Sequence, residues 1–376
     1  MIGTRGYPSY YGGFETAVRR LAPYLVDAGW EVTVYGRPGA TRTGDPGRDI
    51  RVRSRTTWVV ETVKLSTLSY GLTAAIDAGA RRPDVALVFN VANGYFLPLL
   101  KARGIPTLVN VDGIEWERAK WSRLAQSVFR NGARLTARWA SGLVFDAKAI
   151  ADYWKWNFDV GGLFIPYGGD IPPALPVPEG LSHRGYVLVV ARCGPENSIP
   201  EFFDAVPRIA TKYPVVVVGC SGYGGELDEA AKRLSDSYPS VSWLGHVSDD
   251  ALLLALWQHA GVYFHGHSVG GTNPALVQAM AAGAPVLARD TPYNREVLGP
   301  TGRFTSATAE EIADAIIGMM SGGSQLDAFS RENISRAQQR YSWSTVCRDY
   351  ESALRALLPC VDAASHPRLG ESSGTA

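Results

Sequence analysis

The stretch His265-Gly-His-Ser-Val-Gly-Gly-Thr-Asn273 holds the residue types best suited to chemistry in this chain. It offers imidazoles at His265 and His267, hydroxyls at Ser268 and Thr272, an amide at Asn273, and the pair Gly270-Gly271. It runs straight into Pro274-Ala-Leu-Val-Gln-Ala-Met-Ala281, where a leading proline and small apolar residues predict a helix. The N–H groups at a helix start lack partners, and the dipole behind them favours negative charge, so the loop suits a phosphate. Gly283 closes that helix, and Pro285-Val-Leu-Ala288 begins a buried strand. A related loop stands near the start. Gly12-Gly13 precede a helix opening at Phe14-Glu15, and the missing side chains let a ligand approach the backbone closely. The plainer reading of both is an ordinary loop-to-helix connection.

Further polar residues fall just past apolar runs, where strands of an α/β sheet end. Arg192 follows the run 186–191, and a guanidinium there can pair with a diphosphate; a surface ion pair is the alternative. Asp112 follows the run 106–111, in Asn110-Val-Asp-Gly-Ile-Glu-Trp116. Its carboxylate could orient or deprotonate an acceptor hydroxyl, with Glu115 as second candidate and a helix cap as the alternative role. Asn90 and Asn93 follow the run 85–89 and could line the same acceptor pocket.

These positions need a scaffold, and strand-like and helix-like segments alternate along the whole chain. Strands are expected at 31–35, 85–89, 106–110 and 142–145, with helices at 14–28, 63–80 and 118–140. In the second half strands are expected at 186–190, 215–218, 241–244, 262–264 and 285–288, and helices at 199–213, 226–235, 249–259, 274–282 and 309–321. The expected organisation is a Rossmann-like domain over 1–165, a Pro- and Gly-rich hinge over 166–182, a second Rossmann-like domain over 183–343, a helix packing back over 344–360, and a disordered tail over 361–376. The fold class is thus α/β, with two doubly wound domains facing a cleft and ligands at the carboxyl ends of the strands. The opening Met1-Ile2-Gly3-Thr4-Arg5-Gly6 reads as the end of a strand and its turn, as though strand residues preceded it.

Composition narrows the classes. A net charge of +1 argues against bulk nucleic-acid binding. The 6 His and 4 Cys show no metal-ligand spacing, and scattered cysteines suit a reduced, cytoplasmic protein. No apolar run reaches the roughly 20 residues of a membrane span, and no signal peptide is read. The segment 118–139 is basic and aromatic and holds no acid. Such a helix can lie peripherally on an anionic membrane surface or stand in solvent with its apolar face in the core.

Four stretches in register, 3–17, 191–197, 244–250 and 265–288, resemble the family 4 glycosyltransferases, and within them a rhamnosyltransferase-like subgroup. The resemblance implies the two-domain GT-B arrangement and metal-free transfer of a sugar from a nucleoside diphosphate, with retained anomeric configuration and no cofactor. It implies dTDP-rhamnose as first donor and a glycan or lipid-linked acceptor, with the enzyme in the cytoplasm at the inner membrane face. It places Gly12 and Gly13 beside the donor phosphates and assigns His265, His267, Ser268, Gly271, Thr272 and Asn273 to the donor loop. The chain departs from the pattern at Gly270 and Gln278, where many relatives carry glutamates for the sugar and the ribose, and at Asn197, often a lysine. Gln278 can still hydrogen-bond a diol or stand as a buried structural amide. Glu296 matches an acid that is either near the ligand or holds a loop. Two other readings follow: a nucleotide-sugar 2-epimerase, for which Asp112, Glu115 and Glu296 offer acids without a linking motif, and a non-catalytic sugar-nucleotide-binding partner.

Overall fold

Short runs of β-branched and aromatic residues with no polar alternation make strands that are buried on both faces, as parallel sheets demand. Ala86–Phe89, Thr107–Asn110 and Val262–His265 are buried along their whole length. The computed structural model describes residues 1–10, 12–41, 44–59, 66–118, 121–191, 194–219 and 225–359. Arg192, the start of the helix expected at 63–80, and the tail expected at 361–376 lie outside these residues.

In the first domain the strands Ala86–Phe89, Thr107–Asn110, Gly142–Phe145 and Leu163–Phe164 pair in parallel in chain order. Thr33–Gly36 pairs with Arg53–Thr56. Met1 and Ile2 join the two sheets. The Met1 ammonium donates to the Thr33 carbonyl at 2.7 Å and the Tyr35 N–H to the Met1 carbonyl at 3.0 Å, while Ile2 exchanges bonds with Leu87 and Phe89 at 2.9 Å. In the second domain the order is Arg303–Thr305, Val286–Arg289, Val262–His265, Val187–Ala191, Val215–Gly219, Val241–Gly245, all parallel. The order reverses between Val187–Ala191 and Val262–His265, and the crevice outside the strand ends at such a point receives ligands.

Helix Gly13–Asp27 buries Ala17, Val18, Leu21, Ala22 and Leu25, the spacing of one helical face. Against it lies Trp343–Arg355, which buries Trp343, Val346, Cys347, Tyr350, Ala353 and Leu354. The final helix thus returns to the first domain, where the Asn110 amide donates to the Tyr350 hydroxyl at 2.7 Å. The chain crosses between domains twice, side by side: Gly169 pairs with Ser342, and its N–H donates to the Tyr341 carbonyl at 2.7 Å. Gly168 allows that approach, because a Cβ there would stand 2.6 Å from the Trp343 ring.

Several elements were not legible from residue patterns. The strand Arg53–Thr56 is all polar and only partly buried, so it gives no hydrophobic alternation. The helix expected at 118–140 begins later, at Arg123, because Ser122 caps it by accepting from the Ala125 N–H. Helix Lys148–Phe158 has no local side-chain cap; its first N–H is held by Glu296 of the other domain. The helices Leu97–Ala102, Pro292–Leu298 and Gln325–Arg340 also add to the expected set. Among the described residues, no helix is long and apolar enough to cross a membrane.

Candidate active site

A cleft of about 470 Å³ opens where the carboxyl ends of Val187–Ala191, Val215–Gly219 and Val262–His265 face helix Gly13–Asp27. Gly12, Gly13, His265, His267, Asn273 and Gln278 line it. The starts of two helices from opposite domains meet there. A Cβ on Gly13 would lie 3.3 Å from the Pro274 ring and 3.3 Å from Tyr167. Helix Gly13–Asp27 has no side-chain cap, and Asn273 caps helix Pro274–Ala281 with one bond, 2.9 Å from the Ala275 N–H. Two partial positive charges therefore converge on one volume.

Both cleft imidazoles are held. His265 is buried, and its Nδ1 stands 3.0 Å from the Tyr263 hydroxyl. Burial, and then the charge of neighbouring His267, lowers its pKa from 6.5 to about 3, so the ring is neutral. Its Nε2 is buried without a hydrogen-bond partner among the described residues. His267 Nδ1 is 2.6 Å from the Asn197 side-chain oxygen. With that oxygen accepting, His267 carries its proton on Nδ1. The residue standing where relatives often have lysine thus orients an imidazole.

The remaining donor-loop residues hold the loop itself. Ser268 ties it to the carbonyl of Glu196, by N–H at 2.8 Å and hydroxyl at 2.9 Å. The Thr272 hydroxyl donates across the domains to the carbonyl of Asp146. Gly270 has φ +91°, and Gly271 abuts the Asp146 carboxyl. Gln278 is engaged in both directions: its amide donates to the Asp170 carbonyl at 2.8 Å and accepts from the Asp170 N–H at 3.2 Å. It pins the linker to helix Pro274–Ala281. Both ends of its amide are engaged in these bonds, although the residue lines the cleft. Glu296 is not among the cleft-lining residues, and both carboxylate oxygens accept from the Lys148 N–H at 2.9–3.0 Å, as an acid holding a loop would.

The acceptor-side residues are also occupied. Asn90 accepts from the Ala92 N–H at 2.9 Å and so caps the 3₁₀ turn Val91–Phe96. Asn93 is buried, its amide donating to the Phe89 carbonyl at 2.7 Å. Glu115 is buried, accepting from the Trp121 indole at 2.9 Å and pairing with Arg118 at 2.8 Å. None of these three lines the cleft; short-range bonds to neighbours claim them. Asp112 adopts φ 63° just past Thr107–Asn110, with its N–H on the Asn110 side-chain oxygen at 2.9 Å. It is not a cleft-lining residue either, but its charge is felt at Asp146 and Tyr167.

The structure adds residues that the sequence reading passed over. Arg19 and Arg20 line the cleft; the Arg19 guanidinium lies 4.0 Å from the Tyr10 ring centre, and Arg20 pairs with Asp170 at 2.8 Å. Their signal was present: a basic doublet off the apolar face of the helix that follows Gly12-Gly13. Asp146 is the first polar residue past Gly142–Phe145, the same position relative to its strand that singled out Asp112. Arg118 reaches from the first domain to Glu196 of the second, 3.7 Å away.

Residues 12–161 match the model of the "Glycosyl transferase 4-like domain", and residues 184–321 match "Glycosyl transferases group 1". The chain is 32% identical over 204 residues to a phosphatidyl-myo-inositol mannosyltransferase of Mycolicibacterium smegmatis, covering 51% of this chain and 52% of that protein. A protein of the same description from Mycobacterium leprae is 29% identical over 204 residues, covering 51% and 54%. The chain spans about half the length of the curated relatives it matches. Sucrose-phosphate synthase from Thermosynechococcus elongatus superposes with a TM-score of 0.73 at 17% identity, over 93% of this chain and 94% of that one. Anabaena Alr3699/HepE, solved in complex with UDP and glucose, gives 0.71 at 18%, over 92% and 96%. At such identities the likeness shows the fold, which is GT-B. Both sequence relatives are described as phosphatidyl-myo-inositol mannosyltransferases, which lends the rhamnosyl expectation no support.

Proposed function

We propose, from the premise that this chain belongs to the family 4 glycosyltransferases of GT-B fold, that it transfers a hexosyl group from a nucleoside diphosphate to a hydroxyl of a glycan or lipid-linked acceptor. The observation that carries this reading is the convergence of the two helix starts, at Gly12-Gly13 and Asn273-Pro274, on one cleft at the switch point of the second sheet. A departing diphosphate is the anion such a site stabilises, and fixed donors aimed at developing charge usually supply the largest part of the rate. Arg19, Arg20 and Arg192 supply the cations, and the scheme uses no metal. His265 presents a neutral ring nitrogen, and the Asn197-held imidazole of His267 stands beside it, near the sugar. Asp112 orients the acceptor hydroxyl, and the anomeric configuration is retained, as the resemblance implies.

Mannose replaces rhamnose as the first sugar to test, because the relatives are mannosyltransferases. Their phosphatidyl acceptor also motivates a peripheral membrane contact through helix Arg123–Trp139, where Leu124 is exposed and Arg123, Arg130, Arg134 and Arg138 supply positive charge. The two domain matches favour transfer over epimerisation.

A thermal-shift screen of GDP-mannose, UDP-glucose, dTDP-rhamnose and the free diphosphates, followed by diphosphate release, tests the reading. A donor that binds the folded state raises Tm, and its slow hydrolysis marks a transferase. Binding without turnover across acceptors would instead favour the non-catalytic partner. No shift with any of them, on folded protein, refutes the donor site.

A further inference from the structure

We infer that Asp146 is a positioning residue of the transfer site: its carboxyl, carried on the first domain, seats the Gly270–Thr272 loop of the second and ties domain closure to the arrangement of that loop. The inference rests on the donor-site reading above for its consequence in catalysis, but its geometry stands without a ligand.

Asp146 begins the turn after strand Gly142–Phe145 and is 2% exposed. The second domain grips that turn at two points: Thr272 donates its hydroxyl to the Asp146 carbonyl, and Glu296 accepts from the Lys148 N–H. Between these points the carboxyl meets the backbone of Gly271. A Cβ there would stand 2.0 Å from Oδ1 and 2.5 Å from Oδ2, so any side chain would force the loop or the buried carboxyl to move. Gly271 has no left-handed backbone that would demand glycine by itself. This glycine therefore accommodates the close approach of the two domains. Oδ1 is buried with no hydrogen-bond partner among the described residues, so the carboxyl is seated against the loop with bonding capacity unused.

The surroundings favour the uncharged acid. Burial and then the charge of Asp112 raise the Asp146 pKa well above 3.8, with Glu296 adding to the rise and Arg118 opposing it. Tyr167, Tyr293 and Tyr350 also face it. The sign follows: closure supported by the neutral carboxyl is complete below the ordinary carboxylate range and is lost as pH rises through the raised pKa. An ionised Asp146 would also stand against the loop that is to meet an anionic donor.

The test compares Asp146→Asn, Asp146→Ala, Gly271→Ala and the double variant Gly271→Ala/Asp146→Ala in the full chain. Hydrogen exchange of the 266–275 segment is followed without ligand from about pH 5.5 to 9, beside kcat and KM for hydrolysis of whichever donor stabilises the wild type. Asp146→Ala should deprotect the segment and lower kcat/KM by about 10- to 100-fold, the scale of a misplaced site. Asp146→Asn should keep both and abolish the wild-type loss of protection at high pH. Gly271→Ala should open the loop while Asp146 is present, and Asp146→Ala should reverse part of that damage. Unchanged protection in Asp146→Ala, or a Gly271→Ala variant that behaves as wild type, overturns the inference. Should the wild type hydrolyse no donor, the function reading fails separately and the exchange arm alone decides. Loss in Asp146→Ala with rescue by Asn then upholds the seating, and no loss overturns it.

Discussion

The two readings of Gln278 separate cleanly in Gln278→Glu. Were this residue a ribose ligand, the substitution would restore the carboxylate common in relatives and tighten nucleotide binding. The structure gives the opposite expectation. The amide oxygen accepts from the Asp170 N–H at 3.2 Å, and the amide nitrogen donates to the Asp170 carbonyl at 2.8 Å. A carboxylate keeps the first bond, loses the second, and sets an anionic oxygen against a carbonyl oxygen. The lost bond costs about 0.5–1.5 kcal/mol, and the unsatisfied, partly buried carbonyl adds about 1–2 kcal/mol. The total is roughly 1.5–3.5 kcal/mol. At roughly 2–4 °C per kcal/mol for a domain of this size, Tm should fall roughly 3–14 °C. Scanning calorimetry with and without nucleoside diphosphate measures it. Protonating the new carboxyl, with an ordinary pKa of about 4.3, returns a donor, so the deficit should shrink on acidification. A variant as stable as the wild type at neutral pH, with tighter nucleotide binding, would refute the linker clamp and reinstate the ribose role.

Three further outcomes follow from the site. Arg20→Ala breaks a pair whose side chains are 52% and 45% exposed, so stability should change by less than about 0.5 kcal/mol, while affinity for nucleoside diphosphate, read by titration calorimetry, should drop several-fold. His265 stays neutral in the fold down to about pH 3, whereas the unfolded ring gains a proton below 6.5. Its contribution is thus present above 6.5 and lost as pH falls, at about 1.4 kcal/mol per pH unit. The stability difference between wild type and His265→Gln should shift by about 2 kcal/mol towards the variant between pH 6.5 and about 5; parallel curves would contradict the buried neutral ring. Glu296→Ala should cost about 1 kcal/mol as a lost cap and speed hydrogen exchange at the start of helix Lys148–Phe158, with little change in nucleotide affinity.

The scaffold and the loops of the cleft follow from the order of residues along the chain. Runs such as Val215–Gly219 and Val262–His265 admit burial on both faces, and that forces a parallel sheet with helices outside. Gly12-Gly13 and Asn273-Pro274 are local signals, complete within a few residues, so the loops that line the cleft were legible from the chain. Where each polar side chain places its hydrogen bonds emerges only once the chain has folded. Gln278 turns to Asp170, 108 residues away, and Glu296 to Lys148, 148 residues away. Asn90 and Asn93 are taken by their own neighbours, and Glu115 by Arg118. Helix Lys148–Phe158 escaped notice because its cap comes from the other domain. A Cβ on Gly271 would stand 2.0 Å from the Asp146 carboxyl, which arrives from the other domain. A hydrogen bond reaches about 3 Å, so sequence spacing fixes it only within a turn or a helix. Between domains it is fixed by which surfaces the folded chain brings together.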